Sequence, residues 1–480
     1  MDRDDRPLAA EVGVVGGGPA GAAIARRLAT LGHSVCVVEH RRFPRHHVGE
    51  SLPPGILPLL DALGVRRRIE AAGFLRPESA IVRWSRTAAG RSVDSEPGFQ
   101  VDRGRFDQLL LTAATAAGAG CLQPARVLGL EPRDPGGWRL RLRADGRERF
   151  LDVAVLVDAG GKGSTVVPGR RRRRSPPMLA LYGYWRQAAI RGPETRVEAG
   201  AREWFWGAPL PDGTLNATVF VDPERLRGSR RRDLEPLYRR LLAGSTLLAP
   251  CLEGCLTEPV RACDASSYAA VEPIGEDCLR IGEAAFSIDP LSSQGVQAAV
   301  RSALHGAAVV HTWLAAPRHA EAARRFYRQR LQATVARHRR WASRFYAAQD
   351  LFPASPFWRR RAAATASDRP AAPPAPAEGP PAGRLRLAAE VRIVEVPALT
   401  GDLIAPHTAV DHPGLDEPAA FVGDRALAAL AADFGGAPTA AEIVSAWSMR
   451  MPRREAAQIL AWLWSRGLVV AAADAPEGAK

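Results

Sequence analysis

Residues 12–40, VGVVGGGPAGAAIARRLATLGHSVCVVEH, space Gly16, Gly18 and Gly21 as GxGxxG and place Glu39 18 residues beyond the last glycine. Each position has its own physical task. Gly16 permits a tight turn, Gly18 lets backbone approach a pyrophosphate, and Gly21 lets the following helix pack closely. Pro19 and Ala20 open that helix, whose N-terminus offers unpaired N–H groups and the positive end of its dipole to phosphate. Glu39, with His40 beside it, ends the next strand and can accept the ribose hydroxyls. A carboxylate there disfavours a 2′-phosphate, so the expected dinucleotide is FAD or NAD rather than NADP.

The elements that must hold these residues follow from periodicity. An apolar strand (Val12–Val15), a helix (Pro19–Leu31) and a second strand (Ser34–Glu39) make a βαβ start. Further strands are expected at Ala154–Val157 and Cys278–Ile281. Residues 178–275 alternate and predict a sheet set over the cofactor domain. Pro317–Gln349 has helical spacing, with aromatic and leucine residues among arginines, and predicts a long surface helix. Residues 362–383, rich in proline and alanine, read as a semi-stiff linker between a catalytic domain, 1–361, and a C-terminal domain, 384–480. In that last domain a helix stops at Gly435–Gly436, Thr439 caps a second with Glu442 at the third position, and a third ends at Gly467 before a short strand, a winged-helix pattern. The fold class is α/β, α+β overall: a Rossmann-like cofactor domain, an inserted substrate sheet and a C-terminal winged helix.

Composition narrows the function. The chain has 480 residues and a formal charge of +14, but its lysines are only Lys162 and Lys480. Arginine throughout reads as composition bias rather than a basic face; the run Arg170–Arg174 reads as a solvated loop. Nucleic acid is disfavoured, because the segment PRREAAQILAWLWSRG, residues 452–467, sets three arginines among apolar residues. Six cysteines without paired spacing suggest a reduced, cytoplasmic protein with no metal site. No secretory signal and no bilayer-spanning run is read.

FPRHHVGESLPPG (43–55), VDRGRFDQLLL (101–111), LVDAGGKGS (156–164) and RIGEAAFSIDPLSSQGVQAAV (280–300) resemble, in this order, motifs of FAD-dependent monooxygenases and especially of flavin-dependent halogenases. The resemblance runs over about residues 10–361 and includes SPFWRRR at 355–361. It implies FAD, clamped at its ribose by Arg103, with Arg45, Gly49, Glu50 and Ser51 lining the groove and Asp158 in a third cofactor signature. It implies that the Asp289-Pro290 turn and the helix from Gly295 and Val296 aim N–H groups at the flavin pyrimidine, where reduction leaves negative charge. Gly282-Glu283 stands where the family has Gly-Asp, so the carboxylate meeting the ribityl chain is one methylene longer.

WFWGAP, Trp204–Pro209, is similar to the halogenase WxWxIP. On a strand, Trp204 and Trp206 share a face and either wall a pocket or pair in the core. Halogenases carry a lysine in the segment before the first tryptophan-bearing strand to handle hypohalous acid; the matching GFLRPESAIVRW, residues 73–84, has none. Arginine stays protonated and is a poor nucleophile. The expected chemistry is therefore hydroxylation of an aromatic group through a flavin C4a-hydroperoxide, formed with O2, with electrons from NAD(P)H or a separate flavin reductase. A halogenase and a flavin dehydrogenase or reductase are the alternatives. His47, next to His46, is either an acid–base residue or structural. The C-terminal domain is similar to modules that hold precursor peptides, and the general plan to flavoproteins that hydroxylate tryptophan within a protein. The substrate is thus a small aromatic or a peptide or protein side chain, while a cap or dimerisation module remains open for that domain.

Overall fold

The computed structural model describes residues 7–86, 91–92, 96–190, 192–228, 230–363, 379–381 and 383–472. The strand Leu8–Val15 pairs in parallel with Val35–Val38 on one side and Arg147–Asp158 on the other. Gly120–Leu122 adds beyond Val35–Val38, and Cys278–Arg280 pairs with the end of Arg147–Asp158. The helix Pro19–Thr30 covers this sheet, which explains the unbroken valine runs: strands buried on both faces need no polar alternation. Register aligns Val15 with Val38 and Asp158, so the strands end together and deliver Gly16, Glu39 and Asp158 to one edge. In parallel sheets ligands bind at that carboxyl edge.

A second sheet holds Leu179–Arg186, Leu215–Val221, Glu203–Pro209 and Thr195–Ala199 in that order. It reaches beyond the insertion expected at 178–275, because Ser79–Arg83 pairs in parallel with Thr195–Ala199. Both faces are covered. Phe205 packs with Trp185, Val219 and Tyr238 on one side, while Trp204 packs with Trp84, Phe220, Tyr346 and Trp358 on the other. Of the arginine run read as a solvated loop, Arg171–Arg173 form instead an edge strand against Tyr268–Ala270, while Arg170, Arg172 and Arg173 are exposed.

The long helix is Ala320–Ala347, entered by a single turn at Pro317–His319. Contacts divide the chain into two compact units, residues 1–311 with 327–366, and residues 312–326 with 367–480. Most of the expected linker, 362–383, lies outside the described residues, as does Lys480. The second unit has the three expected helices, Leu427–Ala432, Ala440–Ser448 and Arg453–Ser465, and Thr439 with Glu442 forms a full capping box. The strand after the third helix, Val469–Ala471, pairs with Leu385–Leu387, and the unit's long hairpin, Arg392–Thr400 with Leu403–Asp411, precedes the helices. Among the described residues no helix is long and apolar enough to cross a membrane, and no group of three His, Cys, Asp or Glu is placed to hold a metal.

Candidate active site

The glycine turn is set by sterics. Gly16 adopts φ +101°, and a Cβ there would stand 2.5 Å from the Ala159 carbonyl oxygen. A Cβ on Gly21 would stand 1.8 Å from the Gly16 carbonyl oxygen, so the helix lies on the turn only with bare backbone. Gly18 precedes the helix, Pro19 takes its first position, and a Cβ on Gly18 would come within 3.2 Å of the Arg45 guanidinium. A helix N-terminus, a bare glycine and an arginine together suit a pyrophosphate.

Glu39 is buried and accepts the N–H groups of Gly17 at 2.7 Å and Arg41 at 2.8 Å, one on each oxygen. A carboxylate offers about four lone pairs, so room remains for ribose hydroxyls. His40 is exposed, its Nδ1 3.2 Å from Glu39 Oε1. Asp158 Oδ1 accepts from Gly160 N–H and the Ser164 hydroxyl, while Oδ2 is buried without a partner. A buried acceptor left unmade is costly, and a ligand hydroxyl answers it. Gly282 presses on Ala20, where a Cβ would sit 2.9 Å from the alanine Cβ, and the neighbouring Glu283 stays exposed. These groups fit FAD.

Arg103 anchors the adjoining loop. It forms a two-pronged pair with Asp107 one helical turn on, at 3.0 and 3.2 Å, and donates Nη1 to the carbonyls of Val48 and Gly49. That occupies all but one of its five N–H donors, so its first task is to fix the Gly49–Ser51 turn. Arg45 Nη2 lies 3.4 Å from the same Asp107, which is wholly buried. Glu50, also buried, accepts Gly49 N–H at 2.8 Å, Tyr184 O–H at 2.6 Å and Asn216 Nδ2 at 3.2 Å, which ties the loop to the second sheet. Ser51 Oγ accepts from Gln100 at 3.3 Å.

His47 Nδ1–H donates to the Val48 carbonyl at 2.7 Å, leaving Nε2 with its lone pair. Although the residue keeps an exposed side, desolvation first and the Arg103 guanidinium next push its pKa down to about 4, so it is neutral at pH 7. His46 stands edge-on to Tyr184 with ring centres 5.0 Å apart. Both histidines face a cavity of about 240 Å³ shared with Arg45, Glu50, Arg103 and Tyr184.

Asp289 caps the turn Pro290–Ser292 by accepting Leu291 N–H at 3.0 Å, and both its oxygens accept the Tyr346 hydroxyl, at 3.0 and 3.1 Å. Desolvation raises its pKa. The turn leads into the 21-residue helix that begins at Gly295 and Val296. Trp204 and Trp206 do share a face, but Trp204 is fully buried, stacked on Phe220 at 3.7 Å and 7°. It fills the core, the second of the two readings open for the pair, and is corrected as a candidate catalytic residue because it lines no pocket among the described residues. Trp206 is half-buried, and its indole N–H is buried without a partner.

Sequence reasoning did not single out Asp107, Tyr184, Asn216 or Tyr346. Asp107 had a signal, four residues after Arg103 on one helix. The others meet Glu50 and Asp289 only through the fold.

An FAD binding domain family matches residues 9–178. The tryptophan 2-halogenase of Chondromyces crocatus is 30% identical over 358 residues, covering 71% of this chain and 68% of that protein. The structure of the peptidyl tryptophan dihydroxylase QhpG, described as essential for tryptophylquinone cofactor biogenesis, is 26% identical with a TM-score of 0.74, covering 96% of this chain and 100% of that one. The flavin-dependent halogenase CmlS shares the fold, with a TM-score of 0.78 at 21% identity over 97% of this chain and 96% of its own. The glycine turn, its carboxylate partners and these likenesses agree: the chain is an FAD-dependent oxidoreductase and belongs to the family of flavin-dependent halogenases and related monooxygenases.

Proposed function

We propose that this chain is an FAD-dependent monooxygenase that hydroxylates an electron-rich aromatic group. One observation carries the choice over halogenation: no lysine amine is free in the catalytic unit. The segment Gly73–Trp84, which supplies the sheet strand Ser79–Arg83, contains no lysine. Lys162 is engaged elsewhere; its Nζ pairs with the Asp264 carboxylate at 3.1 Å, donates to the Asp264 and Ser266 carbonyls, and lies over the Tyr268 ring at 5.3 Å.

Bound flavin supplies the oxidising power with O2, after reduction by NAD(P)H or a separate reductase. The chain's own residues do the rest. Gly16, Gly18 and Gly21 with Arg45 would hold the pyrophosphate, Glu39 the adenosine ribose, and Asp158 and Glu283 the ribityl side. Arg103 fixes the Gly49–Ser51 turn and offers its last N–H to the cofactor. The helix N-terminus at Gly295 and Val296 would meet the pyrimidine end and favour negative charge there. Neutral His47 can take a proton through Nε2. Trp206 borders the substrate with its unpaired N–H.

The substrate reading that the full-length likeness to a peptidyl tryptophan dihydroxylase supports is a peptide or protein side chain; a small aromatic is the alternative. In the second unit, the strand Arg392–Thr400 exposes Ile393 and Leu399 on one face, apolar material for an added peptide strand.

The test is single turnover of reduced holoprotein with isotopically labelled O2, chloride and bromide, offered peptides and small aromatics in turn. Product mass should show labelled oxygen. A halogenated product, or oxidation without label, overturns the reading.

A further inference from the structure

Lys162, the one lysine of residues 1–361, and Arg171 of the arginine run converge on a single side chain, Tyr268. Tyr268 is 7% exposed and lies on the strand Tyr268–Ala270, next to the edge strand Arg171–Arg173. Lys162 Nζ stands 5.3 Å from the centre of its ring and the Arg171 guanidinium 5.1 Å. An aromatic face attracts each cation, and so draws together two groups that would otherwise repel. The Asp264 carboxylate, 3.1 Å from Nζ, fixes the ammonium as well.

This cluster holds the two carboxylates assigned to the ribityl side. The Tyr268 hydroxyl donates to the Glu283 carbonyl. Burial first and the Glu283 charge next raise its pKa, so it stays a donor. Ser287, paired with Tyr268 across the strands, reaches the Glu283 carboxylate at 3.5 Å. Arg171 donates to the carbonyls of Lys162 and Ser164. The Ser164 hydroxyl and Gly160 N–H in turn fill Asp158 Oδ1, at 2.7 and 3.0 Å, which leaves Oδ2 as the acceptor without a partner. One ring and its two cations therefore join the Gly282-Glu283 turn to the loop that presents Asp158.

Glu283 is exposed. A long side chain gives up more rotamer freedom when it grips a ligand, so a fixed main chain beneath it counts for more.

We propose, resting on the assignment of Glu283 and Asp158 to the ribityl side, that Tyr268 with Lys162 and Arg171 is a positioning device for FAD. Tyr268 sets where the Glu283 carboxylate can reach, and Arg171 holds the loop Gly160–Ser164 so that Asp158 keeps one oxygen for the ligand. All three act through these carboxylates and need no contact with the flavin ring.

The test reads FAD affinity of the full-length holoprotein, from the flavin fluorescence released on serial dilution, and couples two substitutions. Glu283→Ala should weaken FAD about tenfold, the loss of a charge-assisted hydrogen bond, and Tyr268→Phe about fivefold, the loss of a neutral one. Combined, they should weaken it no further than Glu283→Ala alone, because Tyr268 acts through that carboxylate. A side chain that merely filled the core would add its cost in both backgrounds. Lys162→Met should weaken FAD about threefold and Lys162→Arg should restore it, a comparison that decides the matter even if Tyr268→Phe does not fold. Additive losses in the double variant, wild-type affinity in Tyr268→Phe beside a weakened Glu283→Ala, or equal loss in both Lys162 variants overturns the positioning role and leaves the ribityl assignment standing. Wild-type affinity in Glu283→Ala overturns that assignment and the positioning role with it.

Discussion

Asp107 has no exposed surface, yet serves two arginines at once, Arg103 through both oxygens and Arg45 at 3.4 Å. Removing one member of a buried ion cluster leaves the others unpaired, at a cost of about 3–5 kcal/mol. Asp107→Ala should therefore lose that much in urea unfolding and also lose flavin, because Arg103 no longer fixes the Gly49–Ser51 turn; a variant of unchanged stability and yellow colour would remove Asp107 from this role. Gly18→Val should fold but purify colourless, since its side chain enters the space between the turn and the Arg45 guanidinium; normal flavin absorbance would contradict the assignment of that face to the pyrophosphate. The glycines and Glu39 were legible because their tasks are backbone geometry, which spacing encodes directly. Asp158 and Glu50 were legible only as parts of motifs. The residues that hold Glu50, Tyr184 and Asn216, lie 134 and 166 positions further along the chain, so no local pattern could have joined them to it.

At the scale of elements, one strand shows why alternation alone misled. Glu203–Pro209 sends Trp204 and Trp206 to the same side, as period two requires, but that side packs against the helices Ala320–Ala347 and Pro356–Ala362 as well as other strands. No local pattern says which of two like-facing rings meets the helix. Trp204→Ala should cost about 3–5 kcal/mol, as a large buried ring does, whereas Trp206→Phe should leave the unfolding midpoint unchanged and alter substrate turnover. Equal destabilisation by both would put Trp206 in the core as well. The hairpin strand Arg392–Thr400 likewise has two unlike faces: Val394, Val396 and Ala398 pack inward, while Ile393 and Leu399 are exposed. Replacing both exposed residues by lysine should raise the KM for peptide substrate and leave flavin content and small-aromatic turnover alone. Unchanged peptide kinetics would move the docking site off this strand.

For the whole molecule, charge was legible and burial was not. The chain carries a formal +14, and its histidines looked alike in sequence. The fold distinguishes them: desolvation, with neighbouring arginines, pushes His47, His305 and His338 each down to about 4. In the unfolded chain the same groups titrate near 6.5. Between those values the unfolded state binds more protons than the native one, so stability rises with pH; it is fully present above about 6.5 and is lost as pH falls towards 4. Asp289, raised by burial, acts in the opposite sense, but it is one group against three. Added positive charge on an already cationic protein works in the same direction as the histidines. Thermal midpoints taken from pH 8 to pH 4 should therefore hold level to near 6.5 and then fall steadily, with the slope reduced in His305→Gln, which cannot take up the proton. A profile that stays level to pH 4.5 in the native protein would mean that these imidazoles are solvated after all, and with them the neutral Nε2 that His47 offers at the active site.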